Sequence, residues 1–255
     1  MDDLFPTERH QQILTLLQQA GRVNVSDLSQ KFGVSEVTIR SDLQSLAAQN
    51  LIVRTHGGAV LSSRPPELSL TLRRQKQVVE KERIGAVAAE WVHDGDAVFL
   101  DTSSTTLAIA PHLKTRRDLT VLTNSLAMVQ TLMVAPHITV VMIGGVLRRD
   151  TASFIGADGL GVLSKYNLAT GFFGAHGLSF PEGLTDVSIG EAEIKRGVVT
   201  LCRQVIAVID STKWGRVGPA SFARPEEIHT IITDLKAPTG LVERVRSLGT
   251  RVIQV

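Results

Sequence analysis

Residues 33–46 read GVSEVTIRSDLQSL: a glycine, a serine, then an amphipathic stretch that carries one arginine. Gly33 suits the left-handed turn that ends a helix. Ser35 is placed to cap the next one, because its hydroxyl can accept an amide proton that the first helical turn leaves unpaired. In that next helix Ile39, Leu43, Leu46 and Ala47 recur at i, i+4, i+7 and i+8, so they share one buried face. At about 100° per residue the opposite face carries Val37, Ser41 and Gln44, flanked by Thr38 and Arg40.

Upstream, Ile13, Leu14, Leu16 and Leu17 form a first helical stripe that Gly21 ends. Asn24 followed by Asp27 resembles a capping pair and predicts a short second helix from Val25 to Phe32. Downstream, LIVRTHGGAVL (51–61) is β-prone at Leu51–Thr55 and Ala59–Leu61, with Gly57-Gly58 suited to a hairpin turn. Three helices and a hairpin are the layout of a winged helix-turn-helix, whose third helix presents its exposed polar face to a DNA major groove. The candidate DNA contacts are then Ser35, Glu36, Val37, Thr38, Arg40, Ser41 and Gln44 on the helix, with Arg54 and His56 on the wing. A three-helix protein-docking module with an incidental arginine has the same local pattern. Bulk charge does not choose between them: 27 basic and 25 acidic side chains leave a net charge of +2, too little to argue for nucleic acid.

The 255 residues suffice for a small domain joined to a larger one, and 43% hydrophobic with 20% charged residues is a globular balance. No apolar run approaches the roughly 18 residues of a membrane helix. The start, MDDLFPTERHQQ, is too acidic and polar for a signal peptide, and a single cysteine, Cys202, fits a reducing compartment. These features predict a cytoplasmic protein without membrane contact.

The stretch SSRPPELSLTLRRQKQVVEKERIG (62–85) combines a Pro-Pro break with a charge-rich run, and Ile84, Val87, Ala88 and Trp91 then mark a helix. The expected division is a DNA-binding unit over 1–62, a linker over 63–76 and a second domain over 77–255. From residue 97 the texture changes. AVFL, LTVLT, ITVVMIG, QVIAVID, TIITD and RVIQV are short β-rich runs with helical stretches such as EAEIKRGVVTLC between several of them. This alternation predicts a mostly parallel α/β sheet covered by helices on both faces, with ligands bound in loops at the carboxyl ends of the strands.

The first such loop is DTSSTT (101–106). Asp101 ends a strand, and Ser103, Ser104, Thr105 and Thr106 open a helix where backbone amides and hydroxyls favour an anion. Ordinary capping needs only one hydroxyl. Pro111 predicts that this helix is short or kinked. Thr123-Asn124, Gly144-Gly145 and Asp210-Ser211-Thr212-Lys213 follow three further strands, and each read alone is a weak signal. In GLTDVSIGEAEIKR (183–196), Glu191 and Lys195 share a helix face and read alone as a surface ion pair, while Asp186 could accept hydrogen bonds from sugar hydroxyls. The seven histidines show no metal-ligand spacing, and no HExxH, GxGxxG or P-loop occurs, so neither metal nor cofactor is expected. Cys202, Trp91 and Trp214 read as packing residues.

With both halves read, the chain resembles the DeoR-type family of bacterial sugar-catabolism repressors from about Glu8 to Val255. The most specific marker is VNVSDLSQKFGVSEVTIRSDL (23–43) joined to RTHGGAV (54–60); DTSSTT, LTNS, IGG, GLTD, EAEIKR and DSTKWG follow in the family's order. The resemblance implies a winged helix-turn-helix plus a sensor domain related to ribose-5-phosphate isomerases and coenzyme A transferases. It implies a repressor of a carbohydrate operon that binds double-stranded operator DNA as a homodimer or homotetramer and answers a phosphorylated sugar or related metabolite. Carried onto matching positions, it implies an effector site at Asp101, Ser104, Thr105, Thr106, Asn124, Gly144, Gly145, Asp186, Glu191, Lys195 and Lys213, with Ser103, Thr123 and His176 adjoining. Three departures stand out: Ser103 replaces a usual glycine, Ser41 replaces a second basic residue after Arg40, and Ala175-His176 replaces a commoner acidic pattern. A second reading is a sugar-phosphate isomerase with Glu191 or Asp186 as base, although an isomerase has no use for a DNA-binding unit.

Overall fold

The structure, a computed structural model, describes residues 5–48, 51–61, 69–156 and 159–255. The chain divides into two units, Met1–Ser69 and Leu70–Val255.

In the first unit the order is α1 (Pro6–Ala20), β1 (Arg22–Asn24), α2 (Val25–Phe32), α3 (Glu36–Ala48), β2 (Ile52–Thr55) and β3 (Gly58–Leu61). Ile13, Leu17, Leu28, Ile39, Leu43 and Leu46 are all buried at its centre. Gly21 and Gly33 take left-handed backbone angles at the ends of α1 and α2, and the Ser35 hydroxyl accepts from the Thr38 amide at 3.1 Å. The predicted helices are therefore present and stop for the predicted reasons.

Two local expectations are corrected. Asn24 holds the N-cap position of α2, as the last residue of β1, but its side chain caps no amide and instead donates to the Asp27 carboxylate at 3.2 Å. The hairpin turns at His56-Gly57 rather than Gly57-Gly58, since Thr55 pairs with Gly58. Gly58 instead permits a close approach. A Cβ there would collide with the Val23 carbonyl, so its bare backbone lets β1 and β3 pair. The resulting antiparallel sheet has the order β1-β3-β2. The three-residue β1 escapes a reading of the sequence because a strand this short has no periodicity to detect.

The second unit opens with α4 (Leu70–Arg74) and α5 (Val78–Ala89). Thus 70–74, inside the expected linker, are helical with Leu70 buried, whereas Pro65-Pro66 lie outside the described residues. There follow β4 (Ala97–Leu100), α6 (Ser104–Leu107), α7 (Ala110–Leu113), β5 (Leu119–Thr123), α8 (Leu126–Leu132) and β6 (Ile138–Met142). After a hairpin of β7 (Val146–Arg148) and β8 (Ser153–Ile155) come α9 (Leu160–Leu163), β9 (Thr170–Phe173), β10 (Gly177–Ser179), β11 (Gly183–Asp186) and α10 (Ile189–Val199). The chain ends with β12 (Gln204–Val208), β13 (Ala220–Ala223), β14 (Thr230–Thr233), α11 (Thr239–Ser247) and β15 (Arg251–Gln254).

Seven of these strands form one parallel sheet in the order β15-β14-β12-β9-β4-β5-β6. Its side chains alternate between two cores, as the pleat requires. Val98, Leu100, Phe172, Ile206 and Val208 face α5, α7 and α8, while Phe99, Phe173, Val205 and Ala207 face α10 and α11. A small antiparallel sheet, β10-β11-β13, adjoins α10. The six predicted strands are all in the large sheet; β9, TGFF, is the one the sequence does not announce. It is buried on both faces and carries a glycine, so it shows neither alternation nor a run of branched residues.

Candidate functional site

β9 completes the geometry on which the site depends. From β4 the sheet grows to one side through β5 and β6 and to the other through β9, β12, β14 and β15. The switch between β4 and β9 opens a crevice at their carboxyl ends, the usual ligand position in such sheets. Asp101 ends β4 and Gly174 ends β9, and the Gly174 amide donates across the switch to Asp101 Oδ2 at 2.9 Å. The Ser103 amide donates to Asp101 Oδ1, also at 2.9 Å.

Lys195, from α10, inserts beneath this crossing. Its ammonium lies 2.9 Å from Asp101 Oδ2 and 2.8 Å from Asp186 Oδ2, donates to the Gly174 carbonyl at 2.9 Å, and sits over the Phe222 ring. Burial opposes its charge, but the carboxylates of Asp101, Asp186 and Glu191 outweigh it and hold the lysine protonated above its ordinary range. For Asp186 burial acts against ionisation too, yet the nearby Lys195 ammonium wins and keeps the carboxyl below its usual value.

Glu191 faces a separate set of partners. It accepts from Thr102 Oγ1 at 3.1 Å and from Ser153 Oγ, lies 3.5 Å from Asn124 Nδ2, and has Arg148 Nη1 at 3.5 Å. The expected surface pair of Glu191 and Lys195 is corrected, because both are buried and turn to different partners. Sequence spacing places them on one helix face but cannot reveal that the face is covered. Thr102, Arg148 and Ser153 join the site without a sequence signal. No local pattern links Ser153 to Glu191, which only the β7–β8 hairpin brings together.

The hydroxyl loop divides by role. Ser103 is a cap: its hydroxyl accepts from the Thr106 amide at 3.0 Å and contacts Thr106 Oγ1 at 2.7 Å. Pro111 falls in the first turn of the separate helix α7, so the predicted interruption leaves α6 only four residues long. None of the described hydrogen bonds uses the hydroxyl of Ser104 or Thr105. Thr123 is fully buried, donating to the Leu100 carbonyl at 2.7 Å and accepting from the Ser125 amide, and Asn124 donates to the Phe154 carbonyl at 2.9 Å. Gly145 is required for packing, since a Cβ there would strike the Ile155 carbonyl, whereas Gly144 faces open space. The candidates therefore separate into a bonded frame (Asp101, Ser103, Thr106, Thr123, Asn124, Gly145, Asp186, Glu191, Lys195) and a group with uncommitted polar capacity (Ser104, Thr105, Gly144, His176, Lys213).

Positive charge gathers beside this second group. Burial depresses the pKa of Lys213; Asp210 opposes that effect, and Arg216, Arg73 and Lys76 add to it. Burial likewise lowers His176, with Lys213 and Arg216 adding to the effect and Asp186 opposing it. Lys81 is pushed down to about 8, chiefly by burial, and its ammonium donates to the carbonyls of Arg73 and Lys76. Lys81 is buried, Arg73 and Lys213 are half-buried and Lys76 and Arg216 exposed; these cations repel one another around the Asp210 carboxylate, and a further anion would stabilise them. Arg73, Lys76, Lys81 and Arg216 carry no signal of this role in the sequence. Three of them lie in the run RRQKQVVEK, which reads there as connector charge.

In the first unit Ser35, Glu36, Val37, Arg40, Ser41, Gln44, Arg54 and His56 are exposed and Thr38 partly so, leaving the candidate DNA face open. Arg40 Nη2 bonds Glu36 Oε2 at 2.6 Å, and Arg54 on β2 donates to Gln44 on α3, tying the wing to the helix. Cys202 is half-buried with its thiol pushed up to about 12 by burial, which suits packing rather than reactivity. Among the described residues no helix is long and apolar enough to cross a membrane.

A winged helix-turn-helix with an open polar reading helix, followed in one chain by a parallel α/β unit with a polar crevice, defines a DNA-binding transcriptional regulator with a sensor domain. The comparisons agree in both halves: a DeoR-like helix-turn-helix domain matches residues 9–64 and a DeoR C-terminal sensor domain matches residues 76–235. The chain belongs to the DeoR family of transcriptional regulators, whose members are not enzymes. It is 34% identical over 237 residues to the glycerol-3-phosphate regulon repressor of Escherichia coli, covering 93% of this chain and 94% of that protein. It is also 34% identical to the transcriptional regulator GolR of Listeria innocua (96% and 97% covered) and to the repressor GlcR of Bacillus subtilis (91% and 89%). A ribose-5-phosphate isomerase from Methanocaldococcus jannaschii aligns over 52% of this chain and 53% of its own at 18% identity, with a TM-score of 0.40. The isomerase reading is set aside by the family. The geometry points the same way, since Asp186 is committed to Lys195 and Glu191 is ringed by protein groups.

Proposed function

We propose that this protein represses a carbohydrate operon in the cytoplasm and that a phosphorylated sugar or related metabolite controls it from the crevice at the β4–β9 switch. The observation that carries this reading is the cationic cluster around Lys213, which reaches His176 and includes Arg73 of α4, the helix that packs on α6 with its uncommitted Ser104 and Thr105 hydroxyls. In this reading the phosphate lies against those hydroxyls and Lys213. Gly144 and His176 complete the contacts, and the buried frame of Asp101, Asp186, Glu191 and Lys195 holds the loops in place. A DNA-binding unit that ends near 62 and a dimeric or tetrameric assembly belong to the same proposal: paired DNA-binding units double the phosphate contacts through effective concentration.

The test is a thermal-shift titration with inorganic phosphate, a panel of phosphorylated sugars and their unphosphorylated counterparts. A phosphorylated ligand at 100 times its dissociation constant should stabilise by about 2.7 kcal/mol. The unphosphorylated counterpart should give no shift, and Lys213→Ala should remove most of the response. Shifts from the unphosphorylated sugars alone would sink the phosphate reading.

On the DNA side Arg40→Ala should weaken operator binding without unfolding the protein. Loss of a bidentate base contact costs roughly 1–3 kcal/mol of discrimination, whereas loss of a phosphate contact lowers affinity for all sequences and flattens the salt dependence. Its exposed pair with Glu36 contributes little to stability, so melting should hardly change. Unaltered operator affinity across a salt series would remove Arg40 from the interface.

A further inference from the structure

The DNA-binding unit contains one buried ionic cluster that its surface chemistry does not explain. Asp42, on α3, is 5% exposed, and Arg9, on α1, is 6% exposed. Arg9 Nε donates to Asp42 Oδ2 at 2.6 Å and Nη2 donates to Oδ1 at 3.1 Å, a two-point fork. His10 Nε2 lies 2.9 Å from the same Oδ1. Asp42 is four residues beyond Thr38, hence on the flank of the helix between its exposed face and its buried one, and its own side chain is covered.

Stability does not account for this arrangement. Desolvating two charges offsets much of their attraction, and a well-packed apolar pair of similar size commonly does as well or better. Apolar residues of the same two packed helices are buried too: Ile13 and Leu17 of α1, and Ile39, Leu43 and Leu46 of α3. Apolar burial rewards area and is nondirectional, so such a stripe tolerates small rotations and slides of one helix on the other. A guanidinium–carboxylate fork does not, because two parallel hydrogen bonds fix both distance and orientation.

We infer that the Arg9–Asp42 fork, joined by His10, is a positioning element that sets the rotation and height of α3, so that Arg40, Ser41 and Gln44 meet their bases in register. The inference rests on the DNA-reading role proposed above. Asp42 itself touches no DNA in this account. The fork acts on discrimination between sequences, with little effect on sequence-independent attraction to phosphates.

The test uses the full chain and a duplex selected by the wild-type protein from a random-sequence pool, against a scrambled duplex of the same composition at one salt concentration. Two variants are compared: Arg9→Met with Asp42→Leu, which replaces the ions by an apolar pair, and Arg9→Lys, which keeps the charge and loses the fork. The double variant should melt near the wild-type temperature and bind the scrambled duplex equally well, while its preference for the selected duplex falls by about tenfold or more, the scale of one good bidentate base contact. Arg9→Lys should lose preference in the same direction. Unchanged preference in a folded double variant, or in Arg9→Lys if the double variant does not fold, overturns the inference. If neither folds, the cluster serves stability and the inference also fails. A wild-type protein that selects no sequence removes the DNA-reading function, and the positioning role with it.

Discussion

Lys195→Met should destabilise the sensor unit by about 3–5 kcal/mol, the usual result of removing one member of a buried ion pair. For a unit of this size each kcal/mol moves the melting temperature by roughly 2–4 °C, so a fall on the order of 10 °C is expected. Methionine fills much of the lysine stem's volume, and the loss therefore falls on the charges. Asp101 would keep the amides of Ser103 and Gly174, but Asp186 would be left with the Val187 amide and its burial.

The pH dependence gives a sharper signature. In the wild type the Asp186 pKa is depressed, so its contribution is present above the ordinary carboxyl range and lost as pH falls through the folded value. The Lys195 pKa is raised, so its contribution is complete below the ordinary lysine value and lost only at pH above the folded one. Neither titrates between pH 5.5 and 7.5. In Lys195→Met the largest influence left on Asp186 is burial, which raises its pKa against the smaller opposing pull of the Val187 amide and Arg73, so proton uptake relieves the buried charge. The variant should then become more stable as pH falls from 7.5 to 5.5, where the wild type gains nothing from this cluster. Melting curves at the two pH values decide it: a variant with wild-type melting at pH 7.5, or with no recovery on acidification, would show that Lys195 does not neutralise Asp186.

That cluster also marks where the sequence stops being informative. Period and punctuation are local, and what they govern is legible: the glycine ends of α1 and α2, the Ser35 cap, the apolar stripe of α3 and six strands of the parallel sheet. The polar strand ends are legible as well, because parallel sheets bind ligands at the carboxyl ends of their strands. Which polar groups are committed is not legible. Asp101 meets Lys195 from a distant part of the chain. Whether Glu191 is solvated or ringed by Thr102, Asn124 and Ser153 depends on a hairpin whose own short strands carry no pattern. The same blindness lets β9 pass, and with it the switch point that organises the crevice. Gly58 and Gly145 each read as a flexible turn or a ligand approach, but both make room for another strand's carbonyl.

The second large effect is expected at the hydroxyl loop: Ser104→Glu should give a protein that keeps its operator affinity but no longer answers its effector. Ser104 is the first residue of α6, 8% exposed, with a hydroxyl that none of the described hydrogen bonds engages. Because α6 is a single turn, its dipole is small, and the preference for an anion here comes from hydroxyls and the neighbouring cations. A glutamate carboxylate would occupy the place proposed for the phosphate and draw on the same positive field. It should be tolerated by the fold for that reason, while excluding a dianion by bulk and by like charge. Affinity for the phosphorylated ligand should fall by about 100-fold or more, equivalent to roughly 2.8 kcal/mol. A ligand shifts a conformational equilibrium only through its differential binding to the two states, so without binding the resting DNA affinity should persist. The measurement is a titration of the operator complex with whichever sugar phosphate most stabilises the wild type, with melting temperature as the folding control and Ser104→Ala as the companion. The alanine variant, which removes one hydroxyl but adds no charge, should respond with affinity reduced by roughly tenfold, near the low end for the loss of one hydrogen bond to a charged group. A folded Ser104→Glu that releases DNA at the wild-type ligand concentration would place the phosphate elsewhere. If the effector is a co-repressor, the same substitution should instead leave operator binding weak at every ligand concentration, because the ligand-stabilised state is then the one that holds DNA.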